Sequence, residues 1–267
     1  MKTRLGKKQN VSNDMWHVIN SHIEDYVTRE ELTLLIEKTQ AAIIEQVNNK
    51  KAAYAWSGGK DSIVLGHICR GLGILDCMLG RCNLEYPAFL KWIEAHQPPH
   101  LEIINTEQDL DWLSKHEALL FPTNSKQAAI WFAKVQHTAQ QIYYKKHQLD
   151  MILLGGRKAD GNFVGKNGYI YTDAKGITRY SPLAEWRHEH ILAYIHYYNL
   201  EVPPIYNWPN GYKCGTHPWP ARQHTKNVMQ AWNEIYQIDK QIVEQAAEKI
   251  LSAKMFMEGL ENEDRKH

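Results

Sequence analysis

Short apolar runs along this chain alternate with longer stretches in which apolar residues recur every three or four positions, a pattern that predicts strands followed by helices. From Thr28 to Val47 the residues Leu32, Leu35, Ile36, Ile43 and Val47 share one helical face, and Thr28 with Glu31 has the form of a capping box. The run at 51–56 is the first strand, and its helix extends to about Arg70, where Gly71 and Gly73 supply a stop. Ile74 to Leu79 is a second apolar run. Tyr86-Pro87 opens a helix with Phe89, Leu90, Trp92 and Ile93 on its buried side, and Pro98-Pro99 ends it. Leu101 to Ile104 is a third strand, Ser125 to about His147 a long amphipathic helix, and Met151 to Leu154 a fourth strand. Tyr169 to Tyr180, with Asp173-Ala174-Lys175-Gly176 between its arms, reads as a hairpin. Further helices are expected at Ile191 to Tyr198, Thr225 to Ile238 and Lys240 to Met257, before a charged end from Glu261 to His267. The alternation implies an α/β fold, a mostly parallel sheet with helices on both faces, in which ligands bind beyond the carboxyl ends of the strands where strand order reverses.

Where the first strand gives way to its helix stands Ser57-Gly58-Gly59-Lys60-Asp61-Ser62. Glycines let successive backbone N–H groups point at one spot, while the helix dipole, two hydroxyls and the Lys60 ammonium add to the pull on a phosphate. The mononucleotide P-loop needs a GxxxxGK motif followed by Ser or Thr, and Tyr54 and Asp61 stand at the places of its first glycine and its hydroxyl residue. Gly155-Gly156-Arg157 follows the fourth strand, so both glycine loops lie at strand carboxyl ends and point to one shared pocket.

The six residues from Ser57 to Ser62 resemble the SGGxDS pyrophosphate loop of the N-type ATP pyrophosphatases, enzymes that split ATP between its α- and β-phosphates to activate a substrate as an adenylate. A second block, Tyr180-Ser181-Pro182-Leu183-Ala184-Glu185-Trp186 with Val202-Pro203-Pro204-Ile205-Tyr206 after the intervening helix, is similar to a segment of the phosphoadenosine phosphosulfate (PAPS) reductase family, as is the pair Tyr86-Pro87. The resemblance covers roughly residues 50 to 222. Its second block has the spacing of core packing and identifies the family more than the site. The resemblance implies the adenine nucleotide alpha hydrolase-like fold. Lys60 places the chain with the ATP-using branch, like the ATP sulfurylase small subunit, because reductases of PAPS carry a loop without that lysine.

The same resemblance implies roles for residues. Ser57, Gly58, Gly59, Lys60, Asp61, Ser62, Gly155, Gly156 and Arg157 would bind the nucleotide, with Lys60 expected as a solvent-facing loop lysine and Arg157 reaching an oxyanion. Gly155 to Asp160 resembles the family's GxRxxE run with Asp160 in place of Glu, and the second arginine expected beyond it is missing. Mg²⁺ would bridge phosphate oxygens. Asp61 is a candidate for the loop, for a metal-bound water, or simply a helix-start carboxylate. Lys213-Cys214-Gly215-Thr216-His217 is a partial match to the reductases' ECGxH, with Cys214 either a catalytic thiolate favoured by its lysine neighbour or an inert buried thiol. The spacing of Cys69, Cys77, Cys82 and Cys214, without a CxxC pair, speaks against an iron–sulfur cluster. Cys214, His217 and His224 lack an evident fourth ligand for zinc. His188 and His190, two apart on a predicted helix, read as surface residues.

With 267 residues and 43% apolar content the chain can bury one large core. Lys and Arg number 31 against 30 Asp and Glu, so no global basic field marks a general nucleic-acid binder. No apolar run approaches membrane-spanning length, and scattered cysteines without a signal peptide indicate a reducing cytoplasm and no membrane partner. The basic start, Met1 to Lys8, reads as a mobile end. The expected division is a helical extension at 1–50, the pyrophosphate-loop unit at 51–222 and a second helical extension at 223–267. The expected activity is ATP cleavage at the α-phosphate to adenylate and pyrophosphate, serving an acceptor in sulfur metabolism or in nucleic-acid or metabolite thiolation. Two alternatives stay open: a thiol-dependent phosphoadenylyl-sulfate reductase using Cys214, and a nucleotide-binding subunit that works only with a protein partner or as a homo-oligomer.

Overall fold

In the computed structural model, which describes residues 5, 6 and 8–264, six strands form one sheet: β1 (Ala52–Ala55), β2 (Cys77–Arg81), β3 (Leu101–Asn105), β4 (Met151–Leu153), β5 (Ile170–Thr172) and β6 (Thr178–Tyr180). Their spatial order is β3-β2-β1-β4-β6-β5. All neighbours are parallel except β5 and β6, which are antiparallel. The chain moves outward from β1 through β2 to β3 and then returns to the other side of β1 for β4. Strand order therefore reverses between β1 and β4, and the crevice beyond their carboxyl ends is the natural ligand site of such a sheet. Ala53, Tyr54, Ile152 and Leu153 on these two strands are buried, as expected of parallel strands covered on both faces. The α/β class read from the alternation is the one observed. The hairpin is also present, but its second arm has a further role: β6 pairs in parallel with β4, Ile152 opposite Arg179 and Leu153 opposite Tyr180, and so extends the main sheet.

The helices before the second half of the sheet are α1 (Asn13–Ser21), α2 (Arg29–Val47), α3 (Lys60–Gly71), α4 (Pro87–His96), α5 (Leu110–Ser114), α6 (Ser125–Phe132) and α7 (Thr138–Lys146). In α2 the Thr28 hydroxyl accepts from the Glu31 N–H at 3.1 Å, and Leu32, Ile36 and Ile43 are buried along the face that periodicity predicts. A π-helical turn, Ala133–His137, makes α6 and α7 one continuous rod, matching the long amphipathic stretch. Sequence periodicity does not reveal α1: only Trp16 and Ile19 in it are buried, too few to fix a period, and Ser12 caps it by accepting from the Met15 N–H. The start of the chain also departs from the mobile end expected of it. Met1–Arg4 and Lys7 lie outside the described residues, but Leu5 is buried and its N–H donates to Glu189 Oε1 at 2.6 Å.

The remaining helices are α8 (His188–Tyr197), α9 (Gly211–Cys214), α10 (Val228–Ile238), α11 (Lys240–Ala247) and α12 (Leu251–Asp264). The single helix expected from Lys240 to Met257 is thus two, because the chain turns at buried Ile250 and α12 folds back on α10 and α11. Helix α8 begins three residues before the apolar run that predicts it. His188 and His190, expected at the surface, are only 1% and 8% exposed, because α8 is enclosed on both sides. Trp16 and Arg157 cover His188, while Glu31 and Arg187 cover His190. No described helix is long and apolar enough to cross a membrane.

Candidate functional site

The loop from β1 into α3 is shaped by its glycines. Gly58 has φ of +66°, and a Cβ there would stand 3.0 Å from the Phe89 ring, so both the backbone and the space require glycine. Ser62 ties the loop across itself: its Oγ accepts from the Ser57 N–H at 3.0 Å and donates to the Gly59 carbonyl at 2.9 Å. At the start of α3 the Lys60 N–H donates to Tyr206 Oη at 2.7 Å. The N–H groups of Gly59, Asp61 and Ser62 belong to the turn that has no intrahelical acceptor, and with the helix dipole they make a positive spot.

The loop after β4 meets this turn backbone to backbone. A Cβ on Gly155 would lie 3.1 Å from the Asp61 carbonyl carbon and 3.2 Å from the Ser62 nitrogen, so a side chain would push the two loops apart. Close approach there delivers Arg157, 0% exposed, behind α3's N-terminus. Its Nε lies 2.8 Å from Asp61 Oδ1 and its Nη2 2.8 Å from Asp160 Oδ2. Nη1 donates to the Trp186 carbonyl at 3.2 Å, and Nη2 is 3.1 Å from His188 Nδ1. Lys60, expected to face solvent, is only 2% exposed: its ammonium donates to Asp61 Oδ2 at 2.7 Å and lies 5.7 Å from the Trp16 ring centroid. The layer formed by α1 covers it.

Burial alone would raise the Asp61 pKa, but the Arg157 guanidinium and Lys60 ammonium together outweigh it and hold the carboxyl well below the usual carboxylate range. For His188, burial first and the same two cations next bring the pKa down to about 4, so the ring is neutral near pH 7. Since Nδ1 faces a guanidinium donor, the ring proton is on Nε2. Nε2, Asp160 Oδ1 and Ser181 Oγ are buried without a hydrogen-bond partner among the described residues. These buried polar atoms lie around one loop pair and can bond the polar groups of a ligand or ordered water.

Cys214 closes α9, and the segment after it faces the loop: Thr216 Oγ1 is 3.1 Å from where a Cβ on Gly59 would stand. The thiol itself is 7% exposed and donates to the Gln223 carbonyl at 3.5 Å. Burial raises its pKa and Arg222 offsets only part of that, so the lowering expected from the neighbouring lysine is not what the thiol experiences. We expect Cys214 to alkylate with iodoacetamide at pH 7 more slowly than a free model cysteine, measured by mass spectrometry; a faster rate would indicate an activated thiolate. His217 is brought down to about 4 by burial and by Lys8. Among the described residues, no three His, Cys, Asp or Glu side chains are arranged to hold a metal ion.

The structure therefore brings together Ser57 to Ser62, Gly155, Gly156 and Arg157, and adds Lys8, Trp16, Asp160, Ser181, His188 and Tyr206. Tyr206 and Ser181 fall in the block that spacing assigns to packing, and Lys8 lies in the basic start, so no local signal marks them.

The family model for the phosphoadenosine phosphosulfate reductase domain matches residues 51–214. No curated protein matches the sequence. Among solved structures the chain is similar to the PAPS reductase of Candida auris in its phosphate complex, at a TM-score of 0.48 and 18% identity over 68% of this chain and 92% of that one. It is similar also to the U34-tRNA thiolase NcsA of Methanococcus maripaludis with its 4Fe-4S cluster (TM-score 0.46, 15% identity, 86% and 79%) and to the NMN synthetase of Francisella tularensis (0.45, 14%, 79% and 93%).

Proposed function

The chain belongs to the phosphoadenosine phosphosulfate reductase domain family, and from that premise we propose that it is an ATP pyrophosphatase of the adenylyltransferase type. It binds ATP with its pyrophosphate end on the Ser57 to Ser62 loop and transfers the adenylyl group to an acceptor in sulfur metabolism or in nucleic-acid or metabolite thiolation. The observation that carries this reading is the convergence of Lys60 and Arg157, both almost fully buried, on the N-terminus of α3 at the point where strand order reverses. Two cations fixed by Asp61 and Asp160 beside a row of helix-start N–H groups suit the phosphates of a nucleotide.

In this reading the acceptor's nucleophilic atom forms a bond to the α-phosphorus, and the bond from that phosphorus to the bridging oxygen breaks. Pyrophosphate leaves with the electron pair, and the loop N–H groups with the Lys60 ammonium stabilise the charge that develops on it. Arg157 holds Asp61 and Asp160 in place and adds positive potential near the α-phosphate. Asp61 and Asp160 offer hard oxygen donors, one of them the unpartnered Asp160 Oδ1, and these fit a Mg²⁺ ion brought in with ATP, which would neutralise phosphate charge. Residues 51–222 would be the catalytic unit, with 1–50 and 223–267 as helical additions. Thiol-dependent reduction through Cys214 draws less support, since burial holds that thiol protonated.

The test is the position of the cut. Purified protein with α- and γ-labelled ATP and candidate acceptors (sulfate, tRNA, small metabolites) is expected to yield AMP or an adenylate together with pyrophosphate. For a reversible acceptor, labelled pyrophosphate should exchange into ATP. ADP and inorganic phosphate as the main products would overturn the reading.

A further inference from the structure

We propose that the described N-terminal residues 5, 6 and 8–10 form a strap over the phosphate site, and that Lys8 is thereby a second lysine ligand for the nucleotide's pyrophosphate. The inference rests on the reading above, which places a polyphosphate at Lys60. Three features hold the strap down. Leu5 is buried and its N–H donates to Glu189 Oε1, beside His188 on α8. The turn Lys8–Asn10 packs on α9, which carries Cys214. Beyond it, α1 lays Trp16 against both Lys60 and Tyr212, the latter stacked at 4.8 Å with 4° between the ring planes.

Lys8 does not run outward along the surface as a lysine stem usually does. Its Nζ is 3.7 Å from where a Cβ on Gly215 would stand, and its charge interacts with Lys60, Asp160 and Asp61. Arg157 engages both of those carboxylates and Lys60 engages Asp61 again, while Lys8 has no ion pair among the described residues. Among the described residues Asp61 thus acts on Lys8, Lys60 and Arg157 in common, and Asp160 on Lys8 and Arg157. Burial and the Lys60 charge both lower the Lys8 pKa, which means that two ammonium groups share a poorly solvated space. A polyanion relieves that repulsion, and an ammonium poised there without a carboxylate of its own can turn to phosphate oxygens without breaking a bond. Lys60, by contrast, must loosen its hold on Asp61.

Calorimetric titration of the intact protein with inorganic pyrophosphate, ATP and AMP tests this on four chains: wild type, Lys8→Met, Lys8→Arg and Lys60→Met. Loss of one charge-assisted contact is expected to weaken pyrophosphate and ATP about tenfold or more in Lys8→Met, with AMP within about twofold of wild type on the same logic and Lys8→Arg largely restored. Hydrogen exchange at residues 5–16 should slow on adding pyrophosphate. Unchanged pyrophosphate affinity in Lys8→Met, with Lys60→Met defective, overturns the strap while leaving the site reading intact. Unchanged affinity in both variants overturns both. Equal loss for AMP and pyrophosphate in Lys8→Met also overturns the inference, because it signals damage to the whole pocket and not a lost phosphate ligand.

Discussion

Replacing Arg157 by methionine is expected to lower folding stability by about 3–5 kcal/mol, the usual cost of removing one partner from a buried ion pair. The guanidinium is fully enclosed and bridges two carboxylates, a main-chain carbonyl and a neutral imidazole. Methionine fills much of its stem volume, so the loss is that of charge and hydrogen bonds. Of its ion pairs Asp61 would keep the one to Lys60, and Asp160 would keep a neutral His188 whose Nδ1 is 3.8 Å from its Oδ1. A thermal midpoint lower by roughly 6–20 °C follows for a chain of this size.

The pH dependence gives the prediction a sign. In the wild type the Asp61 carboxyl is depressed, so its contribution is complete above the unfolded value near 3.9 and is lost only as pH falls below that. In Arg157→Met the largest opposing charge is gone and burial, which raises the pKa, is left against Lys60 and the weaker influence of Lys8. The folded carboxyl then titrates higher than before, and proton uptake relieves the buried charge. The stability difference between wild type and variant should therefore be smaller at pH 4 than at pH 7, read from urea unfolding at the two pH values. A difference that is independent of pH, or a midpoint within about 2 °C of wild type, would mean that Arg157 is not holding Asp61 in the way the distances indicate.

Sequence reasoning reaches some parts of this molecule and not others, and the division follows the range of the interactions. The turn from β1 into α3 is legible because glycine, lysine and hydroxyl residues are needed at adjacent positions and are written there together. Strand positions at β1 and β4 are legible within a residue or two because burial on both faces produces unbroken apolar runs, whereas β3, an edge strand with Ile104 buried and Ile103 exposed, is legible only from a short apolar stretch after Pro98-Pro99. Gly155 reads as a loop glycine, yet its reason, contact with the Asp61 backbone, lies on another element. Tyr206 reaches Lys60 across 146 positions and Leu5 reaches Glu189 across 184. No window of sequence holds both ends of such a contact.

Burial of polar groups is the other blind point. A lysine in a glycine loop and two histidines at a helix start are surface residues by every local criterion, yet Lys60, His188 and His190 are all buried. Trp16 of α1 closes over Lys60 and His188, from a segment whose polarity and short apolar pattern give no reason to expect docking, and Glu31 of α2 with Arg187 closes over His190. Cys214 shows the same limit in its chemistry: its lysine neighbour in sequence is local, whereas the desolvation that decides its pKa comes from the surrounding fold.

Replacing Lys60 by methionine is expected to reduce ATP turnover by about 100-fold or more, the scale on which removal of one preorganised charge stabiliser acts on a developing anion. The buried position of Lys60 makes this variant a less innocent one than a surface lysine would be, so its effect on the fold must be measured beside its effect on chemistry. The fold has reason to survive. Asp61 retains Arg157, the methionine stem still packs under Trp16, and the backbone N–H of residue 60 still meets Tyr206 Oη. A midpoint shift of only a few degrees is expected, roughly 1–2 kcal/mol at most, against a loss of about 3 kcal/mol or more in transition-state stabilisation. Single-turnover ATP cleavage with an identified acceptor, together with thermal unfolding of the same preparation, separates the two. If turnover is undiminished while ATP still binds, the ammonium takes no part in stabilising the leaving pyrophosphate, and its place between Asp61 and Trp16 is structural only. If turnover falls but ADP replaces pyrophosphate as the co-product, Lys60 serves γ-phosphate hydrolysis, and it is the proposed position of the cut that fails.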